Sequence, residues 1–486
     1  MRKLSLLAGL LCCISCLGPL LDPISPTDKG KSASYYTNLF AYSNMSAYYL
    51  WEDQIQDELG SWTFSDDPVA KVQSMLYKDE NGNLVDRWTE LMEDCTPFMN
   101  SVSGNGKTHG FEFVLYRVSE ASSQVKMVVT FTYAGSPAQE AGLQRGDIVV
   151  TVDGEEMNLD NYSALLTDKI YNNPGTLRLG LARKGDSSLA VERDVTMQAV
   201  DMYCNPVHTV RTLDVEGRKM GYLHFTNFTQ DACEELLQAF KQFKGQGITD
   251  LVLDLRYNTG GYVMTGAFLA SMIVPGQQVS DGAVFNRSIY NQRLSKVMET
   301  EVCFADSFTL PIRGHEKTLY AMDGNPGIGH LWVIVTGQSA SASESLICGL
   351  KPYMDVTLVG SQTYGKFCGG YLITAEDWFD ALKDEDVDFD CDEGRRLTKN
   401  WGLYVIASRY ADCNGITLSM PSGIPADYEA LDVPTDGYEL GDPSESMLSA
   451  VLALASGHPF AAPAVKSSIA REHIPFSKPG SGVLIY

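Results

Sequence analysis

Basic residues are scarce in this sequence of 486 residues: 37 Lys and Arg stand against 61 Asp and Glu, a formal net charge of −24. A nucleic-acid surface needs a basic face or stripe, so this balance argues against nucleic acid as a partner. Metal-binding spacing is missing too. The 11 cysteines include no CxxC pair and no Cys/His cluster at zinc-ligand spacing, and neither a metal nor any other cofactor is expected. Beyond the first residues, no apolar stretch is long enough to be a membrane helix. The chain does have material for cores, with 44% hydrophobic and 10% aromatic residues, and its length calls for two or three domains.

The start of the chain bears on compartment. Arg2 and Lys3 precede an apolar run, Leu4 to Ile14, which is too short to cross a bilayer and right for a signal-peptide core. The run ends at Ser15-Cys16 and resembles a bacterial lipoprotein signal, in which the cysteine is acylated and becomes the new N-terminus. It departs from that pattern in having Cys13 three positions before Cys16, where Leu is usual. The plainer alternative is cleavage by ordinary signal peptidase. The expectation is an exported protein, a periplasmic or cell-surface lipoprotein held to the membrane through Cys16. Leu17 rather than Asp follows the cysteine, which favours the outer membrane. Cys12, Cys13 and Cys16 lie in this region, leaving eight cysteines whose pairing the sequence does not fix.

Composition then divides the chain. Residues 1–16 read as signal peptide and 17–34, with Pro19, Pro23, Pro26 and Gly30, as a tether. Residues 35–108 read as a small helical domain whose aromatic residues (Tyr48, Tyr49, Trp51, Trp88) pack its own core. Residues 109–200 show strand alternation, then Ala134-Gly135-Ser136-Pro137-Ala138, a short helix to Ala141-Gly142-Leu143, and Arg145-Gly146-Asp147-Ile148. This order resembles a PDZ domain, a module that takes a peptide as an added strand and cradles its carboxylate in backbone N–H groups. The resemblance places Gly110, Phe111, Glu112 and Phe113 in the peptide-binding loop. Residues 201–457 alternate strands with helices: Met220–Phe225, Cys233–Phe243, Leu251–Leu255, Val263–Met272, Leu331–Val335 and Val356–Val359. That is an α/β pattern with largely parallel pairing. Residues 458–486 form a C-terminal extension. Asp384–Asp390 alternates acids but lacks the Gly and terminal Glu of an EF-hand, and reads as a solvated loop.

Three segments could carry chemistry. Ser339-Ala340-Ser341-Ala342-Ser343-Glu344 falls between a buried strand and a helix. Ser341 and Glu344 have capping-box spacing, which explains them without catalysis. A hydroxyl at a helix N-terminus also faces backbone N–H groups that would stabilise an oxyanion. Thr363-Tyr364-Gly365-Lys366 puts a lysine after a neighbouring strand, and Asp254 to Gly261 ends in a glycine pair. A lysine serves as general base only when neutral, and burial can lower its pKa by several units.

Following a PDZ-like region in this order, the three segments resemble the C-terminal processing peptidases, or tail-specific proteases. The resemblance spans about Gly110 to Val433 and includes Gly423-Ile424-Pro425-Ala426-Asp427. It implies a multidomain α/β architecture: an N-terminal helical domain, a PDZ domain and a protease core with the ClpP/crotonase-like fold. It implies Ser341 as nucleophile, Lys366 as base, and an oxyanion hole from the backbone N–H of Ala342 and of Gly260 or Gly261. The implied activity is a serine endopeptidase cutting exported or misfolded polypeptides near their C-termini, with the PDZ domain recognising or gating them. Three positions depart from the family: Thr259 for Pro, Phe367 for Gly, and Gly370 for the Gln that often orients the lysine. What orients Lys366 is therefore open. Two other readings stand beside this one. A non-catalytic binding protein can use the same core, as the interphotoreceptor retinoid-binding proteins do, although both Ser341 and Lys366 are retained here. A Ser–His enzyme would draw on His330, His315 or His224, but no GxSxG elbow accompanies Ser341.

The anchor can be tested directly. Mass spectrometry of the mature protein should find an acylated Cys16 at its N-terminus, and Cys16→Ala should release or leave unprocessed a chain that otherwise partitions into detergent. An unmodified N-terminus elsewhere rejects acylation.

Overall fold

A computed structural model describes residues 31–119, 121–172, 175–182, 189–418, 420–458, 472–474 and 484–485. The signal region with Cys16, and most of the tether, lie outside these residues. Among the described residues, Cys95, Cys233, Cys303, Cys348, Cys368, Cys391 and Cys413 carry free thiols.

Helix α1 (Ala33–Tyr48) starts at Ser32, whose hydroxyl accepts the Tyr35 N–H. Twelve of its 16 residues are buried, polar ones such as Asn38 and Asn44 included, so it is enclosed on nearly every side and not by short neighbouring helices alone. Phe40 instead meets Trp378 at 5.8 Å and Tyr36 meets Phe379 at 5.8 Å, both edge to face. The N-terminal segment thus shares one core with Leu403, Tyr404 and Val405 of the distant chain, where the sequence pattern suggested a separate one.

The next sheet holds strands β1 (Phe111–Arg117), β2 (Val125–Thr132), β3 (Ile148–Val152), β4 (Thr176–Ala182) and β5 (Val191–Gln198), paired antiparallel in that order. Gly110 enters β1 at φ +78°, and a Cβ there would lie 2.3 Å from that of Ser136, so only glycine fits the turn. Phe111, Glu112 and Phe113, expected from the sequence to lie in a loop, are instead the first residues of β1.

The α/β part begins with the hairpin β6 (Val207–Val215) and β7 (Arg218–Phe225), followed by α2 (Ala232–Gln246) and β8 (Asp250–Asp254). Then come β9 (Gly261–Tyr262), α3 (Val263–Ile273), β10 (Val284–Tyr290), β11 (His330–Val335), α4 (Ala342–Leu350) and β12 (Asp355–Gly360). The strands β7, β8, β11 and β12 run parallel, with Leu223 opposite Leu253, Leu253 opposite Val333 and Val333 opposite Leu358. Alternate residues face two layers. Leu251, Leu253 and Val333 pack on α2, α3 and α4, while Val252, Ile334 and Val359 pack on Met447, Leu448 and Val451 of α5 (Ser446–Ala455). A second sheet contains β13 (Cys368–Thr374) and β14 (Gly402–Ala411), paired antiparallel, with β10 beyond β14. The glycine turn, Ser341 and Lys366 follow β8, β11 and β12. All three gather at the carboxyl edge of the parallel sheet, where open α/β sheets bind ligands.

A buried ion network joins the first sheet to this edge. Arg145 donates to Thr130 O (3.0 Å), Tyr257 Oη (3.0 Å) and Asp432 Oδ1 (3.0 Å). Arg256 bonds Asp254, Asp432 (3.1 Å) and both oxygens of Glu445 (2.6 and 2.9 Å). Burial alone would raise the Glu445 pKa, but the guanidiniums of Arg256 and Arg145 overcome it and hold the carboxyl at about 2. Removing one member leaves its partners charged and buried, at a cost of about 3 kcal/mol. Arg145→Ala should therefore speed amide exchange around residues 128–148 and 430–436 roughly a hundredfold while β8 and β11 keep their protection. Unchanged exchange there would show that the network is not what holds the two parts together.

Candidate catalytic site

The serine-rich segment is stitched to the glycine turn before α4 begins. Ser339 Oγ donates to Leu255 O (2.8 Å), the Ala340 N–H to Asn258 O (3.1 Å), and Ser343 Oγ to the same carbonyl (3.1 Å). Between these anchors Ser341 is held at φ +60°, ψ −110°, a sparsely populated conformation for a residue with a side chain. Helix N-caps normally sit in the extended region, where the hydroxyl reaches the N–H two or three residues on. Here the Glu half of the capping box forms, with the Ser341 N–H donating to Glu344 Oε2 at 2.9 Å. The hydroxyl itself is fully buried and has no hydrogen-bond partner among the described residues. A buried, unpartnered hydroxyl in a strained turn is unfavourable for a cap and suited to a group awaiting a ligand.

Glu344 does much more than cap. It is buried, and its carboxylate also accepts from Thr363 Oγ1 (2.5 Å), the Gly365 N–H (2.7 Å) and the Lys366 N–H (2.9 Å). Burial raises its pKa, and the four donors work against that rise. One carboxylate thus pins the backbones of Ser341 and Lys366 together. Tyr410 closes the opposite side, its hydroxyl lying 3.2 Å from Ser341 O and 3.0 Å from Lys366 O.

Lys366 is completely buried. That burial pushes its amine down to about 8, against the pull of Cys368, Asp86 and Glu344. Nζ donates to Tyr404 Oη (3.1 Å) and lies 5.2 Å from the Trp88 ring centre and 5.0 Å from that of Tyr404. Asp86 fixes the Trp88 segment by accepting the N–H of Trp88 (3.0 Å) and of Thr89 (3.1 Å). These contacts answer what orients the lysine when no Gln stands at position 370. A Cβ on Gly370 would lie 2.4 Å from Val405 O, so no side chain fits there, and the neighbouring Tyr404 reaches the amine instead. Sequence patterns could not reveal this. Tyr404 lies 38 residues from Lys366, and Trp88 read only as core.

The glycine pair divides in role. The Gly260 N–H donates to Asn258 Oδ1 at 2.9 Å and is taken up within the turn. Gly261 begins β9, and Ala342 supplies the first N–H of α4, a position with no intrahelical acceptor. The candidate histidines go elsewhere. His330 starts β11, bonds Thr357 (2.9 Å) and stacks on Trp332. His224 is buried with its Nδ1 3.1 Å from that of His208 and kept neutral by burial, and His315 lies in an exposed hairpin. A cleft of about 420 Å³ runs from His109, Gly110 and Phe111 to Asn227 and Thr229, which flank Phe228, the residue bridged to Gly261.

Residues 219–430 match peptidase family S41 and residues 128–169 match a PDZ domain. The carboxyl-terminal-processing protease of Synechocystis is 27% identical over 237 residues, which are 48% of each chain. The carboxy-terminal processing protease CtpA of Bacillus subtilis is 25% identical over 276 residues, 56% of this chain and 50% of that one. The chain therefore spans about half the length of the curated relatives it matches. In fold it is similar to a Bacteroides fragilis crystal structure provisionally described as an S41 protease. The TM-score is 0.64 at 20% identity, covering 90% of this chain and 99% of that one.

Tyr404 accepts from the Lys366 ammonium, so it favours the charged form. Lys366 should titrate near pH 8 when followed by NMR of its labelled ε-carbon, and Tyr404→Phe should move that titration to lower pH. A value that stays near that of a free lysine would contradict the burial argument.

Proposed function

This chain belongs to the PDZ-containing C-terminal processing peptidases, and from that premise we propose that it is a serine endopeptidase working through Ser341 and Lys366. The observation that carries the proposal is the pairing of an unpartnered, buried Ser341 hydroxyl with a buried Lys366 amine lowered to about 8, their backbones clamped by Glu344. A fraction of the amine is neutral near pH 7 and can take the Ser341 proton as Oγ bonds the scissile carbonyl carbon. The charge that develops on the carbonyl oxygen meets the N–H of Ala342 and of Gly261. Collapse breaks the C–N bond, and the departing amine receives the proton held by Lys366. A water then attacks the acyl carbon, giving a proton to Lys366, and as the acyl C–O bond breaks that proton passes to the departing Ser341 oxygen, restoring both groups. The substrates in this reading are exported or misfolded polypeptides cut near their C-termini. They are first engaged along β1 beside Gly110, where a peptide can add as a strand. Export and acylation at Cys16 are supported by the apolar run before Ser15-Cys16.

Ser341→Ala and Lys366→Ala should each lower kcat/KM on an unstructured peptide by at least 10³-fold without unfolding the protein, and the double variant should be scarcely worse, because the two act as one unit. Lys366→Arg should be equally inactive, since a guanidinium stays protonated. Wild-type kcat/KM should climb as pH rises through about 8, because only the neutral amine is a base. An inert wild type would favour a binding protein on this core, and turnover retained by Lys366→Ala would move the base elsewhere.

A further inference from the structure

Two short strands late in the sequence lie along the edges a substrate peptide would use. The first, β15 (Glu472–Ile474), pairs antiparallel with β1: Glu472 stands opposite Arg117, His473 opposite Tyr116 and Ile474 opposite Leu115. Its successive residues step from Arg117 toward Phe111, so the strand points toward the Gly110 turn, the direction a peptide takes when its carboxylate end is to reach that turn. Ile474 is buried with Phe111 and Leu115. The second, β16 (Leu484–Ile485), lies between β9 and β13 and runs parallel to both. Leu484 stands opposite Gly261, and Ile485 opposite both Tyr262 and Gly370. β16 therefore fills the gap between the glycine turn on one side and, on the other, the strand that begins two residues after Lys366.

We propose that strands β15 and β16 are intramolecular occupants of the peptide track, β15 on the PDZ sheet and β16 across the catalytic edge, which a polypeptide substrate must displace. The proposal rests on the peptidase reading for its consequence, although the occupancy itself does not. Both contacts are strand additions, in which main-chain hydrogen bonding supplies affinity whatever the side chains. Tethering raises the local concentration of such a segment to about millimolar, and two linked contacts reinforce each other. A substrate then binds only the open fraction, and its apparent affinity falls by that fraction. The device selects for chains that engage both edges, because a ligand for one edge leaves the other strand in place.

The occupancy is tested in Ser341→Ala protein, which separates it from turnover. A labelled peptide of residues 472–486 should bind the chain lacking those residues at least tenfold more tightly than it binds the full chain. In a full-length Ile485→Pro variant, proline removes an N–H from a strand paired on both sides and should also open the site. That variant should bind the peptide several-fold more tightly than the full chain, which keeps the test valid if truncation unfolds the protein. Equal affinity for the Ile485→Pro and unaltered full chains would overturn the proposal. In protein with Ser341 intact, deletion should raise kcat/KM about tenfold through KM with kcat little changed. Absence of cleavage in every form would sink the peptidase reading while leaving the binding result to judge the occupant.

Discussion

The site depends on one buried carboxylate. Glu344 accepts from Ser341, Thr363, Gly365 and Lys366, drawing together segments that follow two different strands. Hydrogen bonds to an ionised acceptor contribute about 1.5–3 kcal/mol each, and the four on Glu344 work against the burial that raises its pKa. Across from that clamp, the Tyr410 hydroxyl lies within hydrogen-bond reach of both Ser341 O and Lys366 O, a second tie between the two backbones. The strain at Ser341 and the burial of Glu344 are thus two sides of one arrangement: the turn that denies the hydroxyl its cap bond is the turn whose N–H the carboxylate holds.

Around this centre the protein removes water from the lysine, and that burial lowers its pKa. Trp88 comes from the N-terminal segment and Tyr404 from β14, and both rings lie against the amine. Aromatic faces shed water yet attract a cation, so the lysine can stay ordered in either protonation state. This explains why the N-terminal segment shares its core with β13 and β14. Packed as an independent domain, it would leave Trp88 away from the site.

The glycine turn is governed from outside the site. Arg256 precedes it and is gripped by Asp254, Asp432 and Glu445, and Arg145 of the PDZ sheet reaches the last two as well. A shift of the PDZ sheet would therefore be felt by the residues that position Gly260 and Gly261. Strands β15 and β16 lie against the same two parts, β15 on the PDZ sheet and β16 at the glycine turn.

The sequence by itself determined the elements and the reactive types. Alternation and apolar runs marked β7, β8, β11 and β12, and the order of Ser341, Lys366 and the glycine pair on those strands brought them to one sheet edge, because parallel strands place the residues after them on one side. It could also name the Ser341–Glu344 spacing, but only as a capping box, since a cap and a catalytic turn use the same residues. Tertiary structure added what the spacing lacks: the dihedral angles of Ser341, which leave its hydroxyl without a cap bond, and the second set of donors on Glu344. It likewise decided the partner of Lys366. Gly370 cannot carry the expected side chain because Val405 O is too close, and Tyr404 supplies the contact from the adjacent strand. Position 404 has no local pattern that announces it. Its role arises from the register of β13 against β14, a long-range pairing that no local window of sequence contains.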